Sequence, residues 1–257
     1  MNKNFRLRSE DYSSENSPES LLSIRNVSNV YTDRKISHFG KIELKYVLDK
    51  VNLEIQKGEI FGLTGKNGCG KTTLARCIMG LTDYEGEILV CGELLPQRSF
   101  LNKKLKEFRR QIQMVFQDPG ASLNPVKKIG WLLEEPLHIY KIGAQQERPQ
   151  KVDQMLLRVG LDPSYKTRYA HELSGGQKQR VCIGRALLLE PKILIADEAI
   201  SSLDVSAGAQ ILNLFLELHE NYGLCVLFIS HNKNAAEYLC DRIAVMEKGR
   251  ILDFNSV

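Results

Sequence analysis

Long apolar runs are missing from this chain of 257 residues. The best candidates, Ile193 to Ala196 and Leu224 to Ile229, are strand-sized, well short of the roughly 18 to 20 residues that a bilayer-crossing helix needs. Any membrane role must therefore come through partners. Met1 to Ser20 is rich in Ser, Glu, Asn and Arg and lacks the apolar core of a secretory signal, so it reads as a flexible tail. The six cysteines (Cys69, Cys77, Cys91, Cys182, Cys225 and Cys240) show no CxxC spacing, and several lie in apolar runs. That argues against a disulfide framework or an iron–sulfur cluster and suits reduced thiols in a cytoplasm. Strong charge of one sign is also absent: a net +4 is too mild to argue for nucleic acid. There is no internal repeat and no sustained coiled-coil heptad pattern.

What is present suffices for a sizeable core. At 43% hydrophobic content the chain fits one large domain, or a core carrying a smaller lobe. Val51 to Ile55 alternates apolar and polar residues, Glu59 to Thr64 is a short apolar run, and Lys57-Gly58 between them reads as the turn of a hairpin. A glycine-rich loop follows, then a helical pattern from Lys71 to Met79 stopped by Gly80, then a strand at Glu87 to Cys91. From about Phe100 to Leu173 the sequence is mostly helical and polar, with breaks expected at Pro119, Pro125, Pro136 and Pro163, the look of an inserted helical lobe. Strand-like runs at Ile193 to Ala196, Leu224 to Ile229 and Ile243 to Met246 then alternate with helical stretches Ser206 to Tyr222 and Asn234 to Cys240, as in a parallel α/β core.

The glycine-rich loop carries the sharpest chemistry. Gly65-Lys66-Asn67-Gly68-Cys69-Gly70-Lys71-Thr72 matches G-x-x-x-x-G-K-[ST] and lies between an apolar strand and a helix, where a phosphate cradle has to be. Its glycines let consecutive N–H groups point inward, and the helix N-terminus adds partial positive charge. Lys71 is expected to reach the β- and γ-phosphates of a nucleotide, Thr72 to ligate Mg²⁺, and Thr73 to touch the α-phosphate. Cys69, beside those N–H groups, is expected to be a reactive thiol.

A second constellation lies downstream. The strand Ile193-Leu194-Ile195-Ala196 ends in Asp197-Glu198, delivering two carboxylates to the C-terminal edge of a buried sheet. Asp197 is expected to hold Mg²⁺, in part through water, and Glu198 to polarise the attacking water. His231, just past the next strand, offers an imidazole for the γ-phosphate. Leu173-Ser174-Gly175-Gly176-Gln177 opens a long helix with a capping-box pattern, Ser174 at the cap and Gln177 three positions on, and its two glycines leave the helix start open to an anion from another molecule.

In this order the motifs resemble those of the ATP-binding cassette ATPases, with Leu173-Ser174-Gly175-Gly176-Gln177 similar to the family signature. The resemblance runs from about Leu21 to Val257 and implies an α/β fold: a P-loop NTPase domain with a RecA-like core, an antiparallel β subdomain, and a helical subdomain inserted at roughly residues 100–185. It implies ATP and Mg²⁺ as ligands, with Thr72, Gln117 and Asp197 at the metal and Glu198, His231 and Lys71 in catalysis. Nucleotide contacts are expected from Tyr31 on the adenine, from Gly65 through Thr73, from Gln117 towards the helical lobe, and from Ser174, Gly175, Gly176 and Gln177. Ser201-Ser202-Leu203-Asp204 resembles the interdomain loop. The family logic is a head-to-tail dimer, homomeric or with a second cassette ATPase, with each phosphate loop facing the signature of the other subunit.

Phe116 to Pro125 (FQDPGASLNP) resembles the corresponding stretch of oligopeptide, dipeptide and nickel importer ATPases, and the short C-terminus tilts the expectation towards nickel-type members. Two permease subunits, an extracytoplasmic binding protein and a place on the cytoplasmic face of the membrane follow from that resemblance; an accessory ATPase of a soluble complex such as carbon–phosphorus lyase stays open. Ala199 and Ala170 stand where the family pattern has proline, a difference expected to alter loop stiffness. Lys103, Lys104, Lys106, Arg109 and Arg110 read as a solvated helix face, or else as a contact to an anionic membrane or a permease.

Overall fold

The structure is a computed structural model that describes residues 20–32, 44–96 and 103–256. The expected tail falls outside these residues, except for Ser20, which opens the first strand. The chain runs β1 (Ser20–Thr32), β2 (Leu44–Gln56), β3 (Ile60–Thr64), α1 (Lys71–Ile78), β4 (Glu85–Val90), β5 (Glu93–Leu94), α2 (Lys103–Gln111) and β6 (Ile112–Val115). The helices α3 (Pro119–Ser122), α4 (Ile129–Tyr140), α5 (Arg148–Arg158) and α6 (Gly175–Leu187) come next, with two short 3₁₀ turns between α5 and α6. It then returns to alternation with β7 (Ile193–Asp197), α7 (Val205–Tyr222), β8 (Cys225–Ser230), α8 (Lys233–Leu239), β9 (Arg242–Glu247) and β10 (Arg250–Ser256).

Two sheets form. An antiparallel sheet has the order β2-β1-β4-β5, and a six-stranded sheet has the order β10-β9-β3-β8-β7-β6, parallel from β9 through β6. β3, β7 and β8 are buried at every position, the mark of parallel strands covered on both faces. Because side chains alternate, one face of this sheet (Leu194, Ala196, Val226, Phe228) joins a core with α6, α7 and the helical insertion. The other face (Ile193, Ile195, Leu227, Ile229, Phe61, Leu63) joins α1 and the antiparallel sheet.

Three expectations change. Lys57-Gly58 does not turn a hairpin: β2 and β3 lie in different sheets, and the turn, with Gly58 at φ 70°, carries the chain from one to the other. Glu59 secures that step by accepting from the Gln56 N–H at 2.7 Å and from Arg242 at 2.5 Å. The polar stretch after Phe100 is not wholly a helical lobe, since β6 within it pairs with β7 and extends the core sheet. Pro136 does not break its helix but sits inside α4, facing the interior, and the turn tolerates the one missing N–H. Pro119 and Pro163 instead start their elements, each at the first turn after an aspartate cap.

The basic run around α2 also resolves. Arg109 donates to the Met79 and Gly80 carbonyls at 3.2 and 3.1 Å, tying off the end of α1, while Lys106 donates to the Ile139 carbonyl at 2.6 Å near the end of α4. Two of its cations are thus structural ties at helix C-termini.

Candidate active site

The site forms where three parallel strands end together. Thr64 of β3 lies opposite Ser230 of β8, and Asp197 of β7 opposite Ile229 of β8, so Gly65, Glu198 and His231 leave the sheet at one edge. Ligands in such sheets bind beyond the carboxyl ends of the strands.

The loop after β3 has to be tight. Gly65 adopts φ 153°, and a Cβ there would stand 2.2 Å from the Met246 carbonyl oxygen, which only glycine avoids. The loop feeds α1, which has no side-chain cap, so its first N–H groups are open to an anion. Lys71, 5% exposed, donates from Nζ to the carbonyls of Gly65 at 2.7 Å and Lys66 at 3.2 Å. Cys69 is buried within the core, with Sγ 4.0 Å from Lys71 Nζ, so the ready reactivity expected of it meets a closed surface.

Opposite the loop stand the carboxylates. Thr72 donates to Asp197 at 3.2 Å, and burial pushes the Asp197 carboxyl above its usual range, with that hydrogen bond drawing it back and Glu198 pushing it further up. Glu198 is buried, with one carboxylate oxygen 4.0 Å from Lys71 Nζ and the other 2.8 Å from His231 Nδ1. Its backbone takes φ 53°, uncommon for a non-glycine residue, and its N–H donates to the Ile229 carbonyl at 2.9 Å. Ala199 behind it is buried.

A cleft of about 290 Å³ gathers Asn67, Gly68, Gly70, Lys71, Thr72, Thr73, Gln117, Glu198 and His231, most of the residues expected around the phosphates. Val47 of β2 lines it as well; an apolar residue in the run Tyr46-Val47-Leu48 gave no signal of this. Gln117 also lines a larger cleft of about 670 Å³ between the core and the helical insertion, and its carbonyl accepts from Ser202 Oγ at 3.3 Å. The loop Ser201 to Asp204 is thereby tied to the glutamine segment. Tyr31 is the penultimate residue of β1, opposite Lys45, but its side chain lies outside the described residues.

Ser174, Gly175, Gly176 and Gln177 do not line the cleft. The capping box is formed: Gln177 N–H donates to Ser174 Oγ at 3.3 Å, Ser174 N–H to Gln177 Oε1 at 3.0 Å, and Gln177 Nε2 further to the Tyr165 hydroxyl at 2.9 Å. A Cβ on Gly176 would come within 3.2 Å of the Ala207 methyl group at the start of α7. Ser174 and Gly175 at the helix start are exposed, and Gly176 and Gln177 are half-buried.

A parallel sheet ending in a glycine loop, an uncapped helix and a lysine-bracketed carboxylate pair defines a P-loop nucleotide-binding ATPase. The ABC transporter family profile matches residues 48–201, and the chain belongs to that family. It is 42% identical over 236 residues to the oligopeptide transport ATP-binding protein AppF of Bacillus subtilis, covering 91% of this chain and 71% of the relative. The oligopeptide transport ATP-binding protein OppF of Haemophilus influenzae is 43% identical over 245 residues, covering 94% and 73%. Among solved structures, the dimeric ATP-binding cassette MJ0796 in a post-hydrolysis state with ADP and Pi superposes with a TM-score of 0.80 at 30% identity, covering 91% of this chain and 98% of that one.

Proposed function

We propose that the chain binds and hydrolyses ATP as the motor subunit of a peptide importer, on the cytoplasmic face of a membrane, coupled to two permease subunits and through them to an extracytoplasmic binding protein. The observation that carries the catalytic part is the Glu198 carboxylate held between Lys71 and His231 at the mouth of the phosphate loop. In phosphoryl transfer the protein mainly positions groups and balances charge. The inward N–H groups of the loop and Lys71 take the phosphates, Glu198 draws the proton of the attacking water, and His231 orients Glu198 through Nδ1.

Mg²⁺ would supply charge neutralisation at the phosphates. Thr72, Asp197 and Gln117 offer hard oxygen donors suited to it. The exposed Ser174 helix start, which does not line the chain's own cleft, supports a second subunit as the source of the remaining phosphate contacts, with two sites per head-to-tail dimer.

The peptide names of the relatives favour peptide cargo over nickel. Replacing Glu198 by Gln tests the core of the proposal: ATP binding should persist and turnover should fall at least about 100-fold, with a nucleotide-locked dimer on gel filtration. Full turnover in that variant would remove Glu198 from its role. Co-purification with two polytopic permeases, as opposed to soluble enzymes, tests the importer assignment.

A further inference from the structure

A second cleft, of about 420 Å³, lies beside the nucleotide cleft and is lined by Gly65, Lys66, Asn67, His231, Lys233 and residues of β9 ending in Glu247. The two clefts share Asn67 and His231, which stand as the partition between them. Three basic side chains face this space against one carboxylate. Neither Lys66 nor Lys233 makes a side-chain hydrogen bond or ion pair among the described residues, although Lys71 a few residues away is fully engaged. His231 spends Nδ1 on Glu198, which leaves Nε2 for another acceptor. Uncommitted ammonium groups converging on a cavity form a site for a compact anion, since lysine binds phosphate as a mobile point charge with three donors.

We infer that this basic cleft is an anion site that receives the inorganic phosphate leaving the nucleotide cleft, with Lys233 and Lys66 as its cations and His231 at the doorway. The inference rests on the ATP-hydrolysis reading for the origin of the anion, but not for the site itself. Orthophosphate is the product of the proposed reaction in the neighbouring cleft, which meets this one at Asn67 and His231. With ADP on the phosphate loop much of the lining stays available, because His231, Lys233, Val245, Met246 and Glu247 come from outside that loop.

The test uses the whole protein saturated with ADP, so that the phosphate loop is already filled, and follows the ³¹P line width of added orthophosphate. The wild-type protein should broaden the line; Lys233→Glu should reduce the broadening at least fivefold, and Lys233→Arg should retain it. In steady-state assays Lys233→Glu should keep ATP turnover within twofold at low phosphate while inhibition by added phosphate shifts to at least fivefold higher concentration. Lys233 is exposed, so the folding of both variants can be verified by their unchanged thermal midpoint. Broadening that is unchanged by Lys233→Glu overturns the site, and so does a variant that loses dimer formation with broadening intact, because the cleft is then a protein contact. Lysine-dependent broadening in a protein that fails to hydrolyse ATP upholds the site and overturns the function proposed above.

Discussion

At the scale of single residues, the chemistry is set by where side chains are buried. Burial pushes the thiols of Cys77, Cys182 and Cys240 up to about 12, so at neutral pH they are held as unreactive thiols even though Cys182 is only partly covered. In native protein at pH 7.5 these three should react with a maleimide at least about tenfold more slowly than in urea, as read by mass spectrometry of digests. The linkage follows in sign: above the ordinary thiol value near 9 the unfolded chain loses protons that the folded chain keeps. Stability should therefore be insensitive to these groups below about pH 9 and fall as the pH rises from there, visible as a declining urea midpoint. Gln179 is a different case, fully buried with neither side-chain atom partnered among the described residues. Its replacement by Met should leave the thermal midpoint unchanged or higher, because an unpaired buried amide costs about 1 to 3 kcal/mol.

The residue scale is also where the sequence was most legible. Gly65 to Thr72 and the Asp197-Glu198 pair are local patterns, and their roles depend on the immediate backbone. The closeness of Glu198 to both Lys71 and His231 was not legible, because it depends on the register of β3, β8 and β7 across more than a hundred residues. Nor was the Arg109 contact to the end of α1, since a lysine- and arginine-rich segment looks the same whether its charges face water or a carbonyl.

At the scale of elements, helix ends do double duty. Ser174 caps α6 and is also the group proposed to meet the other subunit's nucleotide. The two roles separate by magnitude: Ser174→Ala should lower folding stability by only about 1 kcal/mol, the usual worth of a cap, while ATP turnover falls by more than tenfold at matched, fully folded protein. Equal, small losses in both would make Ser174 a cap alone. The element pattern was legible in the core, where wholly apolar strands alternate with helices. It failed at β6, whose four residues sit between charged α2 and the FQDP stretch and carry no alternation long enough to register. The sheet change at Lys57-Gly58 was likewise hidden, because a two-residue turn looks the same whether the strands it joins pair with each other or part.

At the scale of the whole molecule, the proposed head-to-tail dimer would divide each site between two chains. A variant with Lys71→Ala loses the phosphate loop, and a variant with Ser174→Arg loses the signature helix. Each alone should be nearly inactive, and mixing the two should restore activity, because the mixed dimer rebuilds one complete site. Turnover that is not restored on mixing, with mixed dimers confirmed by native mass spectrometry, would remove the head-to-tail arrangement. Hydrolysis by the wild-type chain should also rise faster than linearly with its concentration until the dimer saturates.

The left-handed backbone at Glu198 has a longer reach than its hydrogen bonds. A side chain in that conformation carries a penalty of about 1 to 2 kcal/mol that glycine would not, set against the contacts the acid makes to Lys71 and His231. Glycine there would loosen the hinge between strand and loop yet strand a buried ammonium without its nearby carboxylate, so comfort of the backbone and balance of charge pull this one position in opposite directions.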